Sequence, residues 1–382
     1  MDFDLFWLLL ALPIVFALGW AASRLDLHQM RIENRQAPKA YFRGLNYLLN
    51  EQQDQAIDAF IEAVQNDPET SELHFALGNL FRRRGEYESA VRVDEHLLSR
   101  GDLTQADRDR AQHALALDFL KAGLLDRAEE ALNRLEGTRF EDEARLALLS
   151  IYERSRDWVQ AGAIAAKLEA AGQGSFAATR AHYLCELALA HADANAGNAL
   201  LRQAMEIAPQ APRAGLTLAQ RLAQEGQTQE AMATLQTLIE RAPSSLPLIA
   251  QQLAPLAIRT HQAAQVLAQL ETYYERTPSL DVLHAIVALQ THLNPQAQNA
   301  RGWYVKHLER EPSLVAAAHW IAGEKLEHEQ FHPQVQRALD HAVKPLQRYR
   351  CAACGFEAQQ HFWQCPGCQA WDSFPPQRVE EL

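Results

Sequence analysis

The amino-acid sequence predicts an all-α chain: a long stack of helix pairs with an apolar segment at one end and a small four-cysteine module at the other. Three observations predict it. Alanine and leucine dominate the 382 residues, and Thr, Val and Ile are comparatively sparse, a balance that favours helix over strand. Small and aromatic residues return with a period near 34 residues through the middle of the chain. Two C-x-x-C pairs, Cys351-Ala352-Ala353-Cys354 and Cys365-Pro366-Gly367-Cys368, stand close together near the C-terminus. An apolar share of 48% is ample to bury more than one core. A formal net charge of −12 argues against a nucleic-acid partner, whose binding would require neutralising phosphates.

The first segment, 1–23, contains a run from Leu5 to Ser23 without a charged residue, about the length that crosses the hydrocarbon core of a bilayer. Trp7 and Trp20 fall near its two ends, where membrane interfaces collect aromatics, and Pro13 and Gly19 are tolerable inside a membrane helix. A cleaved secretory leader would normally begin with basic residues, whereas this one offers Asp2 and Asp4. A buried helix of a soluble protein is the other alternative. Basic residues follow instead, Arg24, Arg31, Arg35, Lys39 and Arg43 against Asp26 and Glu33, so that 24–39 reads as a basic linker. The positive-inside bias then expects a single-pass anchor with its N-terminus outside and the remaining chain in the reducing cytoplasm.

Residues 40–343 read as the repeat array. Between Ala40 and Pro68, Gly44, Tyr47, Ala56, Phe60, Ala63 and Pro68 fall at the spacing of a tetratricopeptide unit. A shift of 34 places Gly78, Phe81 and Ala90 in the same slots. A further shift, with about four extra residues in the loop near Gly101, places Ala116, Phe119, Gly123, Ala128, Leu132 and Leu135 there. Pro209, Pro243, Pro278 and Pro312 then recur at steps of 34, 35 and 34, preceded by Ala204; Ala231, Leu235 and Leu238; Leu270 and Tyr273; and Ala300 and Tyr304. The reading is of about eight units to Pro312 and an incomplete ninth to Val343. Small residues let paired helices approach, aromatics plug the gaps between units, and stacking should give a right-handed α-solenoid with a groove suited to peptides or partner helices.

Two features bear on catalysis. His328-Glu329-Gln330-Phe331-His332 matches H-E-x-x-H, the helical arrangement in which two histidines hold zinc and the glutamate acts as general base. Pro333 disfavours helix at His332, however, and the repeat register lays the stretch across a turn. Cys185 is a lone thiol in the slot that holds Gly44 and Gly78, which points to a small packing residue. No catalytic residue is expected.

The last segment, 344–382, carries the strongest chemistry. A C-x-x-C knuckle aims two thiolates at one centre, so Cys351, Cys354, Cys365 and Cys368 supply four soft ligands for one metal ion per chain, iron or zinc. Two disulfides are the alternative, and they would need an oxidising compartment. Gly355 suits a backbone that turns back with positive φ, and Gln369 stands where a second such glycine is expected. Tyr349, Phe356, Phe362, Trp363, Trp371 and Phe374 are much aromatic area for a piece too small to fold alone, so some of it should dock on the last repeats.

The C-x-x-C-G-F and C-P-x-C pairs resemble a rubredoxin with a shortened insertion. The whole chain resembles the bacterial lipopolysaccharide assembly protein B family, chiefly in YFRGLNYLLNEQQDQAIDAFIEAVQ, LHFALGNLFRRRGEYESAVRV, HYLCELALAHAD and the tetracysteine segment. That resemblance implies an inner-membrane adaptor, not an enzyme. It would restrain lipopolysaccharide synthesis by presenting the committed-step UDP-acyl-N-acetylglucosamine deacetylase to a membrane-bound AAA+ zinc protease. It also implies dealings with an inner-membrane lipopolysaccharide sensor and assembly proteins, and metal on Cys351, Cys354, Cys365 and Cys368. Electron transfer by the tetrathiolate site is the competing role, and a metalloprotease using His328, Glu329 and His332 is the third. Oligomeric state is left open.

Overall fold

The computed structural model describes Phe16, Trp20 and residues 39–50, 52–66, 70–295, 299–323 and 329–382. The apolar segment and basic linker therefore lie outside the described residues, apart from Phe16, Trp20 and Lys39. Among the described residues no helix is long and apolar enough to cross a membrane.

The chain divides into two compact units, 1–155 and 156–382. In the first, α1 (39–49), α2 (Gln53–Asn66), α3 (Ser71–Arg84), α4 (Tyr87–Ser99), α5 (Gln105–Ala122), α6 (Leu125–Asn133) and α7 (Glu141–Ser155) follow one another as antiparallel neighbours. The repeat slots are what they pack with. Ala56, Phe60, Ala63, Ala90, Ala116 and Ala128 are all fully buried. A Cβ added to Gly44 would stand 2.7 Å from the Phe60 ring, so only glycine admits that crossing. Gly85 and Gly123 close α3 and α5 at φ 80° and 79°, a left-handed turn in which the next N–H returns to the carbonyl of Phe81 or Phe119 at 2.9 Å. The extra residues expected in the loop near Gly101 instead lengthen a helix: α5 has 18 residues where α3 has 14, and it starts on a Thr104 cap. Thr104 accepts from the Asp107 N–H at 3.1 Å, a stronger start signal than the glycine before it.

In the second unit α8 (Trp158–Ala170), α9 (Ala177–Ala190), α10 (Ala194–Ile207), α11 (Pro212–Gln224), α12 (Thr228–Arg241), α13 (Leu246–Arg259), α14 (Ala263–Arg276), α15 (Leu280–Leu293), α16 (Asn299–Arg310), α17 (Leu314–Ile321) and α18 (His332–Val343) continue the pattern. One contiguous core runs through it from Ala181 to Val343. Cys185 is fully buried there, and burial pushes its thiol up to about 11, so it packs as a small apolar residue. One slot was misplaced by a residue. Tyr274, not Tyr273, is the fully buried ring, its hydroxyl 2.6 Å from Nδ1 of His307; Tyr273 only lies against the core.

Beyond α18 the chain changes character. β1 (Tyr349–Arg350) pairs antiparallel with β2 (Glu357–Ala358), Tyr349 opposite Ala358, and a single bridge joins Gln364 to Trp371. Each of these short ladders carries one C-x-x-C at its turn.

Candidate metal centre and its seat on the repeats

The two knuckles are built alike. In the first, the Gly355 N–H donates to the Cys351 carbonyl at 2.9 Å, and the Cys351 N–H donates to the Phe356 carbonyl at 2.9 Å. In the second, the Gln369 N–H donates to the Cys365 carbonyl at 2.8 Å, and the Cys365 N–H donates to the Ala370 carbonyl at 2.9 Å. Both turns need a left-handed residue: Gly355 has φ 78° and Gln369 has φ 63°. Gln369 thus takes the glycine position that the sequence marks, at a cost of about 1 kcal/mol for a residue with a Cβ. A Cβ at Gly367 would make only ordinary contact, 3.6 Å from both the Cys354 sulfur and Phe356.

This pairing brings Cys351, Cys354, Cys365 and Cys368 together with all four Sγ atoms within 4.8 Å of one another. All four are free thiols. The Sγ atoms of Cys351 and Cys368 are 3.8 Å apart and those of Cys354 and Cys365 are 3.7 Å apart. A regular tetrahedron with metal–sulfur bonds of about 2.3 Å has edges of about 3.8 Å, so these two pairs already stand at the spacing of a tetrahedral site. The Ser373 hydroxyl, 3.3 Å from the Cys351 sulfur, and the N–H groups of Cys354 and Ala353 draw that thiol down to about 6. Cys354 is pushed up to about 12: the Phe356 N–H favours its thiolate, but burial and the adjacent sulfurs outweigh it. One ionised sulfur discourages the next, and a bound cation is what reconciles four.

Part of the aromatic area docks on the repeats. Phe356 remains exposed beside the knuckles, while Tyr349 and Phe374 are buried with Leu248 of α13 against them. The module does not sit only on the last repeats. It reaches back to α8 and α9: Trp371 stacks on His182 with ring centres 4.7 Å apart and meets Trp158 and Tyr183 edge-on at 6.1 and 6.0 Å. Asp372, held at φ 49°, places a carboxylate oxygen 2.8 Å from Nε2 of His182. Arg213 of α11 lies over Trp371.

Further along, Arg378 donates to both carboxylate oxygens of Asp281 at 2.9 and 2.8 Å while covering the Tyr349 ring at 4.1 Å. Gln251 of α13 also donates to Asp281, at 2.9 Å. Glu381 accepts from the Leu280 N–H at 2.7 Å, and Glu380 accepts from Ser313 Oγ at 2.7 Å and the Leu314 N–H at 2.6 Å. Two carboxylates therefore cap the N-termini of α15 and α17, whose first N–H groups have no partner within the helix. The module and tail lie along the first helices of successive pairs, α9, α11, α13, α15 and α17.

Of the H-E-x-x-H stretch only the later part is described. His328 lies outside the described residues, Glu329–Phe331 form a short 3-10 turn, and His332 opens α18 with Nε2 3.2 Å from the Ile321 carbonyl. Among the described residues the four cysteines are the one group of three or more His, Cys, Asp or Glu side chains close enough to hold a metal ion.

Known proteins bear on both parts. A family described as "Rubredoxin metal binding domain" matches residues 349–376, and one described as "Tetratricopeptide repeat" matches 188–256. A protein of Escherichia coli (strain K12) named "Lipopolysaccharide assembly protein B" is 29% identical over 97% of this chain and 98% of its own length. A protein of the same name from Haemophilus influenzae is 28% identical over 98% of each chain. Among solved structures, the TPR2AB domain of yeast Sti1 is 16% identical over 72% of this chain and 98% of that one, with a TM-score of 0.34.

Proposed function

We propose that this chain, a homologue over nearly its whole length of proteins named lipopolysaccharide assembly protein B, is a non-enzymatic adaptor that regulates lipopolysaccharide assembly at the bacterial inner membrane. That near full-length homology is the observation that carries the reading, because it takes in the repeats and the metal module together. On this reading 1–23 anchors the chain by a single span, 24–39 is its basic cytoplasmic flank, 40–343 is the scaffold, and 344–382 is a metal-locked module. The repeats hold the UDP-acyl-N-acetylglucosamine deacetylase and present it to a membrane-bound AAA+ protease, while an inner-membrane lipopolysaccharide sensor and assembly proteins set how much is presented.

Cys351, Cys354, Cys365 and Cys368 would hold one iron or zinc ion. Bound, the ion supplies a cross-link between two turns that are too short to stand alone. The module then acts as a strap along the first helices from α9 to α17, rather than as a plug at the end of the array. Cys354 and Cys368 are exposed residues, which keeps electron transfer as the second reading. A reversible iron couple in the purified protein would favour it, and a zinc site would exclude it.

The test is a crosslinking pull-down from membranes, joined to the half-life of the deacetylase in cells with and without the chain. The adaptor reading expects both protease and deacetylase in the captured complex and a lengthened half-life when the chain is removed. An unchanged half-life would overturn it.

A further inference from the structure

A cavity of about 360 Å³ opens in the first unit among α3, α4, α5 and the turn that precedes α7. Its floor is a buried ionic cluster. Arg82 of α3 donates to Asp118 of α5 at 3.1 Å and to Asp94 of α4 at 3.2 Å, and both carboxylates are almost fully buried. The second oxygen of Asp94 is buried without a hydrogen-bond partner. Burial and the charge of Asp118 push Asp94 up to about 8, against the pull of Arg82.

The walls are cationic and aromatic. Arg110 of α5 lies over the Phe75 ring at 3.9 Å, Arg139 lies over Phe140 at 4.7 Å, and His113 stacks on Phe140 at 4.6 Å. Arg110 reaches Glu72 at 2.8 Å, but that carboxylate is well exposed and solvent screens the pair. Arg139 is exposed and has no carboxylate partner among the described residues. Two guanidinium groups held over rings, in a chain whose net charge is −12, make a local positive site beside apolar surface. Its volume falls at the small end of ligand pockets, enough for a few side chains of an extended segment.

We propose that this cavity binds an acidic peptide segment of a protein partner, its carboxylates between Arg110 and Arg139 and an apolar side chain against Phe75 and Phe140. Guanidinium forks suit carboxylates, and the rings need an apolar neighbour that a free inorganic anion would not supply. The second unit already uses its first helices in this way, since Asp372, Glu380 and Glu381 of the tail all seat on them. The inference is independent of which partners the chain serves.

The test uses the purified full-length chain in detergent and a labelled eight-residue peptide of alternating Glu and Leu, beside the same peptide with Gln for Glu. Fluorescence anisotropy is expected to show binding of the acidic peptide that weakens at least tenfold in the Gln version and in the R110Q/R139Q double variant, and that falls with added salt. R139Q alone removes an exposed turn residue, so it separates loss of binding from loss of fold, and it is expected to weaken binding by severalfold. Equal binding of both peptides, or unchanged binding in the double variant, would overturn the proposal. So would equally effective competition by inorganic phosphate or by anionic lipid vesicles, which would mark a small-anion or membrane site.

Discussion

Removing the Arg378 guanidinium should release the metal module from the repeats without unfolding either. Arg378 makes two charge-assisted hydrogen bonds to Asp281 at 2.9 and 2.8 Å, and Asp281 is 6% exposed. Losing such bonds while their carboxylate stays buried costs about 3–5 kcal/mol when nothing else serves it. Here Gln251 still donates to Asp281 at 2.9 Å, which keeps the cost near the lower figure. A loss of about 3 kcal/mol is roughly a hundredfold shift in the equilibrium between docked and undocked module. Hydrogen exchange reads that shift directly, through the Leu280 N–H on the Glu381 carboxylate and the Leu314 N–H on the Glu380 carboxylate. Arg378→Gln is expected to lose about two orders of magnitude of protection at these amides, while amides of α3 to α5 are unchanged. The paired variant Asp281→Leu with Arg378→Met should recover most of it, because no buried charge is then left alone. Protection within about threefold of the parent protein in Arg378→Gln would mean that the tail is held by its aromatic contacts and not by this pair.

Three further outcomes follow from particular residues. A Cβ on Gly78 would meet Asp94 Oδ1 at 3.3 Å, so Gly78→Leu should push into the buried cluster of Arg82, Asp94 and Asp118 and cost about 1–3 kcal/mol; thermal melting that matched the parent would refute the assignment. Cys365→Ser should release the metal and expose Trp363 and Trp371, seen by metal analysis and a red-shifted fluorescence, whereas Cys185→Ala should keep the ion; X-ray absorption with nitrogen in the first shell would contradict four sulfur ligands. Asp94 holds its proton in the folded chain up to about 8 but gives it up near 4 when unfolded, so the stability it contributes is fully present below about 4 and is lost as pH rises toward 8. Exchange protection of α3 to α5 should decline over that range, and Asp94→Asn should flatten the decline.

The helix pairs and the metal ligands were legible because each leaves a short-range mark. Phe60, Ala90 and Ala116 recur because every unit must bury the same seam against its neighbour, and the four thiols recur in two pairs because one tight turn presents only two. Where the mark slipped, α5 gained a turn that reads as loop, and the buried ring is Tyr274 beside the expected Tyr273. The buried cluster was not legible. Arg82, Asp94 and Asp118 look like solvated charges in sequence, and only the crossing of three helices shows that they share one dry site, with Gly78 keeping the space.

The path of the tail was the least legible of all, and the reason is physical. His182 and Asp372 are 190 residues apart, Asp281 and Arg378 are 97 apart, and no period links them. A repeat pattern reports only what each unit needs from the next unit. A strap laid across five units answers to their summed surface: Trp371 on α9 and under Arg213 of α11, Tyr349 on α13, Arg378 and Glu381 on α15, Glu380 on α17. Each contact is modest, yet all are made by one short piece whose shape depends on four sulfurs meeting. Stability in a repeat stack is otherwise shared only between neighbours, so such a strap couples units that would open separately. Metal loss should therefore lower exchange protection at the first turns of α15 and α17, far from Trp371 in sequence, in step with that at α9. Protection lost at α9 alone would show that the strap does not act as one body.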